Sequence, residues 1–214
     1  MTDALPYRMY LLAHDDAARG PWDRRRTGFL VRAAVLVELA LRGHLVPGDD
    51  GAVRTAGSGS TGDPVLDEVL REAAGRPQGW KALVRRHRER TLRAVEDRLA
   101  ALGSITVEER GGPFARRRVT VSDPAAVRAL TARAAAVLHA TGPAAEADAA
   151  DAALVVLSAA GHVPSVAPRH DTRAHRARID ALTGRLGALA PGLEKAVRGL
   201  RTTMIAAQGG MGGS

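Results

Sequence analysis

Between Phe29 and Leu41 nearly every position is apolar, and the exceptions are Arg32 and Glu38. A helix that is apolar on almost all sides has to be enclosed by other helices or by lipid. The run is shorter than the roughly 20 apolar residues a bilayer span needs. The stretch from Arg26 to Val46 therefore predicts the central helix of a soluble bundle, stopped at Gly43, where a left-handed cap costs glycine little. Arg32 stands out, because a guanidinium is rarely buried unless paired. It either bonds a buried carboxylate or emerges at an edge of the bundle to meet a ligand.

The other elements follow from the same patterning. Leu5, Met9 and Leu12 at helical spacing predict a first helix over Leu5 to His14, followed by a loop through Gly20-Pro21 to Trp22. His44 to Val46 and Ala52 to Thr55 pair as short strands across a Pro-Gly-Asp-Asp-Gly turn. Asp63 and Pro64 are an N-cap and a first helical residue for a helix closing at Gly75. One long helix is expected from Gln78 to Leu102. Alternation on either side of Gly111-Gly112 predicts a hairpin from Ser104 to Val121. Asp123-Pro124 opens a helix to His139, and Ala144 to Ala160 forms another apolar one. Helices near Thr172 to Leu189 and Gly192 to Ala207 complete a mainly α chain. The expectation is a single helical-bundle domain over residues 1–207 with short β-hairpins, and a disordered glycine-rich tail at 208–214.

Composition narrows the chemistry. The 214 residues include no cysteine, so neither disulfides nor thiolate metal sites exist. The seven histidines lack helical zinc spacing, and no metal or cofactor is expected. Gly57 to Gly62 matches G-x-G-x-x-G, but a second helix, not a strand, follows the next helix, so a dinucleotide site is not indicated. No nucleophile elbow or convergent carboxylate pair stands out, which argues against an enzyme. No secretory leader or spanning segment is visible, and a cytoplasmic location is expected. The net charge of +8 favours polyanions. Arginines cluster at Arg24-Arg25-Arg26 after Trp22, along the helix from Lys81 to Arg93, and at Arg116-Arg117-Arg118. A solvated polar face explains any one cluster; three together beside Trp22 suggest an anion site at a membrane interface.

VELALRGHLV, followed by STGDPVLDEVL, resembles the Golgi phosphoprotein 3 family, including its actinobacterial members. The LLAHDD start and the helix–hairpin–helix order are similar too, and the resemblance runs from about Tyr7 to Ala207. It implies a mostly α-helical fold around a central helix. It also implies a peripheral membrane protein that binds phosphatidylinositol 4-phosphate in a basic pocket, as eukaryotic members do while recruiting Golgi enzymes. The family's headgroup residues carry over to Trp22 with a one-residue gap and to Arg32 without one. Arg90 and Arg93 reproduce the spacing of an arginine pair on the helix before the hairpin. The hairpin from Glu108 to Arg118 departs from the apolar one of eukaryotic members: Phe114 is its one large apolar residue.

The resulting expectation is a non-enzymatic peripheral protein at the inner face of the membrane, binding anionic phospholipid headgroups through Trp22, Arg32, Arg90 and Arg93. Protein partners are compatible with it, and the sequence does not give the oligomeric state. Two other readings stay open. RRHRER and the following hairpin could act as the recognition helix and wing of a nucleic-acid binder, although the family resemblance accounts for the same helix and hairpin. Alternatively, the bundle's pocket has been reused in specialised metabolism, by an enzyme or accessory protein.

Overall fold

The computed structural model describes residues 3–57, 59–109, 117–189, 192–200, 202 and 204. Its elements are α1 (Leu5–Leu12), β1 (His14–Asp15), β2 (Gly20–Pro21), α2 (Arg24–Leu41), β3 (Leu45–Pro47), β4 (Val53–Thr55), α3 (Pro64–Gly75), α4 (Trp80–Arg85), α5 (Arg88–Ala101), β5 (Ile105–Glu109), β6 (Arg117–Val121), α6 (Pro124–His139), α7 (Ala149–Gly161), α8 (Arg169–Ala174), α9 (Arg176–Leu189) and α10 (Leu193–Arg198). A single 3-10 turn, Ala144–Glu146, precedes α7.

Helix α2 is central. Asp23 caps it, accepting the Arg26 backbone N–H at 2.9 Å, and Gly43 with φ of 74° ends it in the left-handed region. Phe29 to Val37 is buried on every side, because α1, α3, α4, α5 and α7 all pack on α2. Both polar interruptions have partners. Glu38 accepts the first N–H of α1, from Leu5, at 2.9 Å, where a carboxylate meets the positive end of the helix dipole. Helix α7 lies so close to α2 that a Cβ on Gly161 would stand 2.6 Å from Leu30 Cδ1. Glycine is what permits that approach.

The expected long helix from Gln78 is two helices. Residue His87 takes φ of 49°, and α4 ends before it while α5 begins after it. The cause lies in the phase of the apolar positions. Leu83 and Leu92 are nine residues apart, about half a turn out of phase on a 3.6-residue helix. One straight helix would aim them at opposite sides, and the break lets both be buried. Two further corrections concern boundaries. The loop after α1 contains the two-residue hairpin β1–β2, with His14 opposite Pro21. The apolar helix expected from Ala144 begins at Ala149, where Asp148 accepts N–H groups from Ala150 and Asp151.

The other sheets are antiparallel pairs: β3–β4 with Leu45 opposite Thr55, and β5–β6 with Ile105 opposite Val121. The tip of the second hairpin, 110–116, including Phe114 and Arg116, lies outside the described residues, as does the tail at 208–214. Among the described residues, no helix is long and apolar enough to cross a membrane.

Candidate functional site

The strongest sequence signals turn out to hold the fold. In the S-T-G-D segment, Asp63 Oδ1 accepts the N–H groups of Val65 and Leu66 at 2.8 and 3.1 Å, and Oδ2 accepts the Tyr7 hydroxyl at 2.6 Å. Burial and the neighbouring Asp63 push the Tyr7 pKa well above the ordinary phenol value, so the hydroxyl stays a donor. Asp67 accepts from the Ser60 hydroxyl at 2.6 Å and from the Thr61 N–H and hydroxyl at 2.6 and 2.7 Å. These bonds hold the Asp67 carboxyl below the usual carboxylate range, the Ser60 hydroxyl foremost. The N–H groups that a pyrophosphate would need at the start of α3 are therefore held by Asp63. The glycine-rich match is a helix cap.

Arg32 is completely buried, with 0% exposure. Its Nε donates to the Leu83 carbonyl at 3.0 Å, one terminal nitrogen donates to Thr91 Oγ1 at 3.1 Å, and the other meets Glu72 Oε2 at 2.6 Å. The break after α4 frees that carbonyl: in a continuous helix, Leu83 would accept from residue 87. Burial pushes the Arg32 pKa below the ordinary guanidinium value, and the Glu72 carboxylate opposes that push. Of the two fates open to Arg32 in the sequence, pairing with an internal carboxylate is the one observed.

The other expected headgroup residues do not gather around it. Arg90 and Arg93 share a groove of about 350 Å³ on α5, but Glu68, Glu89 and Asp97 line it too. Arg90 meets Glu68 at 2.6 Å, whereas Arg93 is exposed. Neither Arg32 nor Trp22 lines this groove. Trp22 is half-buried, with the Arg26 guanidinium 5.5 Å from its ring centroid, a cation–π arrangement.

Two of the basic clusters converge on one acid. Glu96 is fully buried and takes both Arg24 terminal nitrogens at 2.6 and 3.0 Å, the Tyr10 hydroxyl at 3.0 Å and Arg117 at 3.3 Å. The bidentate bond to Glu96 raises the Arg24 pKa above its ordinary value. Arg117 also meets Asp97 at 2.5 Å. A similar knot joins buried Asp151 to buried Arg8 and to exposed Arg133, the latter at 2.6 Å.

Uncompensated charge gathers elsewhere. Helices α4 and α10 pack together, with the Trp80 ring 3.2 Å from where a Gly192 Cβ would stand. The left-handed φ of 86° at Gly192 and this close approach both require glycine there. Beside the contact opens a cleft of about 440 Å³ lined by Lys81, Arg85 and Lys195, with no carboxylate in its lining among the described residues. All three cations are exposed. Arg88, at the start of α5, does not line this cleft: its guanidinium lies 4.5 Å from the Phe29 ring centroid and 3.6 Å from Glu89. The arrangement can hold phosphate oxygens at a surface. Sequence reasoning identified Lys81 and Arg85 as part of a run but missed Lys195, which is isolated in the chain and reaches them only by the docking of α10.

The model of the family described as Golgi phosphoprotein 3 (GPP34) matches residues 5–200. No curated protein matches the chain.

Proposed function

The chain belongs to the Golgi phosphoprotein 3 family, and we propose that it is a peripheral membrane protein that takes anionic phospholipid headgroups, phosphatidylinositol 4-phosphate-like, on its basic surface. The observation that carries the reading is the α4–α10 cleft. Among the described residues, Lys81, Arg85 and Lys195 line it without a carboxylate, whereas Arg32 and Arg90 are each within 2.6 Å of one. An anion entering the cleft displaces no internal ion pair, and exposed cations near an anionic membrane contribute about 1 kcal/mol each. Arg93 and the Trp22 edge are secondary contacts in this reading. Binding is electrostatic and reversible, and the protein works from the cytoplasm on the inner face of the membrane. The nucleic-acid alternative has less support, since Arg90 and Arg117, on the helix and strand that would serve as recognition helix and wing, are bonded to carboxylates.

Vesicle flotation tests the proposal. The protein is expected to float with phosphatidylcholine vesicles containing phosphatidylinositol 4-phosphate or phosphatidylserine and to stay behind with pure phosphatidylcholine. Raising salt is expected to weaken the binding, as screening requires. Equal flotation with neutral and anionic vesicles would overturn it.

A further inference from the structure

On the other side of α10 lies a second, larger cavity of about 580 Å³, built by α7, α8, α9 and α10. It shares no residue with the α4–α10 cleft. Its apolar lining is half-buried Ala160 and Ile179, backed by Val156, Ala159 and Val197, which are each at most 4% exposed. Its rim carries Arg169, Arg173, Arg176 and Arg198 against one carboxylate, Asp180. Asp180 is engaged by Arg198 at 3.2 Å and by Arg176 at 3.9 Å. Arg169 and Arg173 are exposed, one helical turn apart on α8, and have no ion-pair or hydrogen-bond partner among the described residues. Thr183 and Thr172, which also line the cavity, donate their hydroxyls to backbone carbonyls of their own segments. They leave the arginines as the charged groups facing outward.

We infer that this cavity binds a small amphiphilic anion, a phosphate monoester on an apolar body, with the anion held by Arg169 and Arg173 and the body on the floor that Ala160 and Ile179 form. Its volume falls in the range of small-molecule sites, roughly 300–1,000 Å³. Guanidinium forks suit phosphate oxygens in pairs. An apolar floor beneath a charged rim selects a ligand with both characters. A bare anion would leave the floor wet, and a neutral hydrocarbon would leave two cations without a counterion. The inference does not depend on membrane binding at the α4–α10 cleft, because its residues are separate and a soluble ligand can test it.

Isothermal titration with decyl phosphate below its micellar concentration tests it, with inorganic phosphate and decanol as comparison probes. Saturable one-to-one binding of decyl phosphate is expected, at least about tenfold tighter than either comparison probe. Each probe lacks one half of the recognition, and a factor of ten corresponds to a modest loss of contact free energy. Arg169→Glu with Arg173→Glu is expected to weaken decyl phosphate by about tenfold or more, and both sites are exposed enough for the variant to fold. Ala160→Trp, which fills the floor without touching a charge, is expected to weaken it too. Lys81→Glu with Lys195→Glu should leave it unchanged. Equal affinity for inorganic phosphate or for decanol would overturn the inference. So would no binding at all, or a loss on Lys81→Glu with Lys195→Glu in place of the α8 pair.

Discussion

Arginine does two opposite things in the two halves of this molecule. Around α2 it is part of the scaffold: buried Arg32 and Arg8 and half-exposed Arg24 are fastened to Glu72, Asp151 and Glu96, and each pair ties distant segments together. Around α8 and α10 the same residue type stands at the surface, with one aspartate for four guanidinium groups at the larger cavity. The residue type is shared, and the difference is the presence of a facing carboxylate. A cation facing one is part of the scaffold. A cation without one is available to an external anion. Counting arginines along the chain cannot make this distinction, because the carboxylates that hold these scaffold arginines are remote in sequence: Glu72 is 40 residues from Arg32 and Glu96 is 72 from Arg24.

The comparison breaks most visibly at Arg32. Arg32→Ala leaves Glu72 facing a vacated core and is expected to cost about 3–5 kcal/mol of stability, measured by urea unfolding. Arg32→Met combined with Glu72→Leu should recover most of that loss, because replacing both charges with apolar groups removes their desolvation cost. A full loss in the double variant would show that the pair does more than satisfy itself.

A smaller effect is expected at the N-cap. Asp63→Ala removes the cap of α3 and the acceptor for Tyr7, and should cost about 1–2 kcal/mol. Asp63→Asn should retain much of the cap, so its unfolding midpoint belongs between those of wild type and alanine.

His14 supplies a pH test within the scaffold. Burial holds its pKa below the ordinary 6.5, against the pull of Asp16. The unfolded chain therefore takes up the proton first. The His14 contribution is fully present above pH 6.5 and declines as pH falls through the folded value. Urea midpoints at about pH 7.5 and about pH 5.5 should differ less in His14→Gln than in wild type.

The smallest effect on stability belongs to the free cations. Lys81→Glu, Arg85→Glu and Lys195→Glu are each expected to shift unfolding by no more than about 0.5 kcal/mol, as exposed substitutions usually do. A large loss at any of them would move that residue from the available set into the scaffold.

Much of this was legible in advance. The enclosed character of α2 follows from its unbroken apolar run, and the Asp63-Pro64 and Asp123-Pro124 starts were read at the right residues. The interruption at His87 was readable too, since the apolar stripe loses phase between Leu83 and Leu92, yet no glycine or proline marks it. Arg32 carried two readings because burial alone does not say whether a partner is a carboxylate or a ligand; that depends on where α3 brings Glu72. The grouping of Lys195 with Lys81 and Arg85 was hidden for the same reason. It depends on how Gly192 lets α10 meet Trp80.

The most direct measurement sets the two kinds of cation against each other on one membrane. Flotation with vesicles of phosphatidylcholine and phosphatidylinositol 4-phosphate would compare Lys81→Glu/Arg85→Glu/Lys195→Glu with Arg90→Glu/Arg93→Glu, both checked for wild-type unfolding midpoints. If the uncompensated cleft holds the headgroup, the first variant loses binding and the second retains most of it. Loss confined to the second variant would contradict that assignment and return the headgroup to the arginine pair on α5.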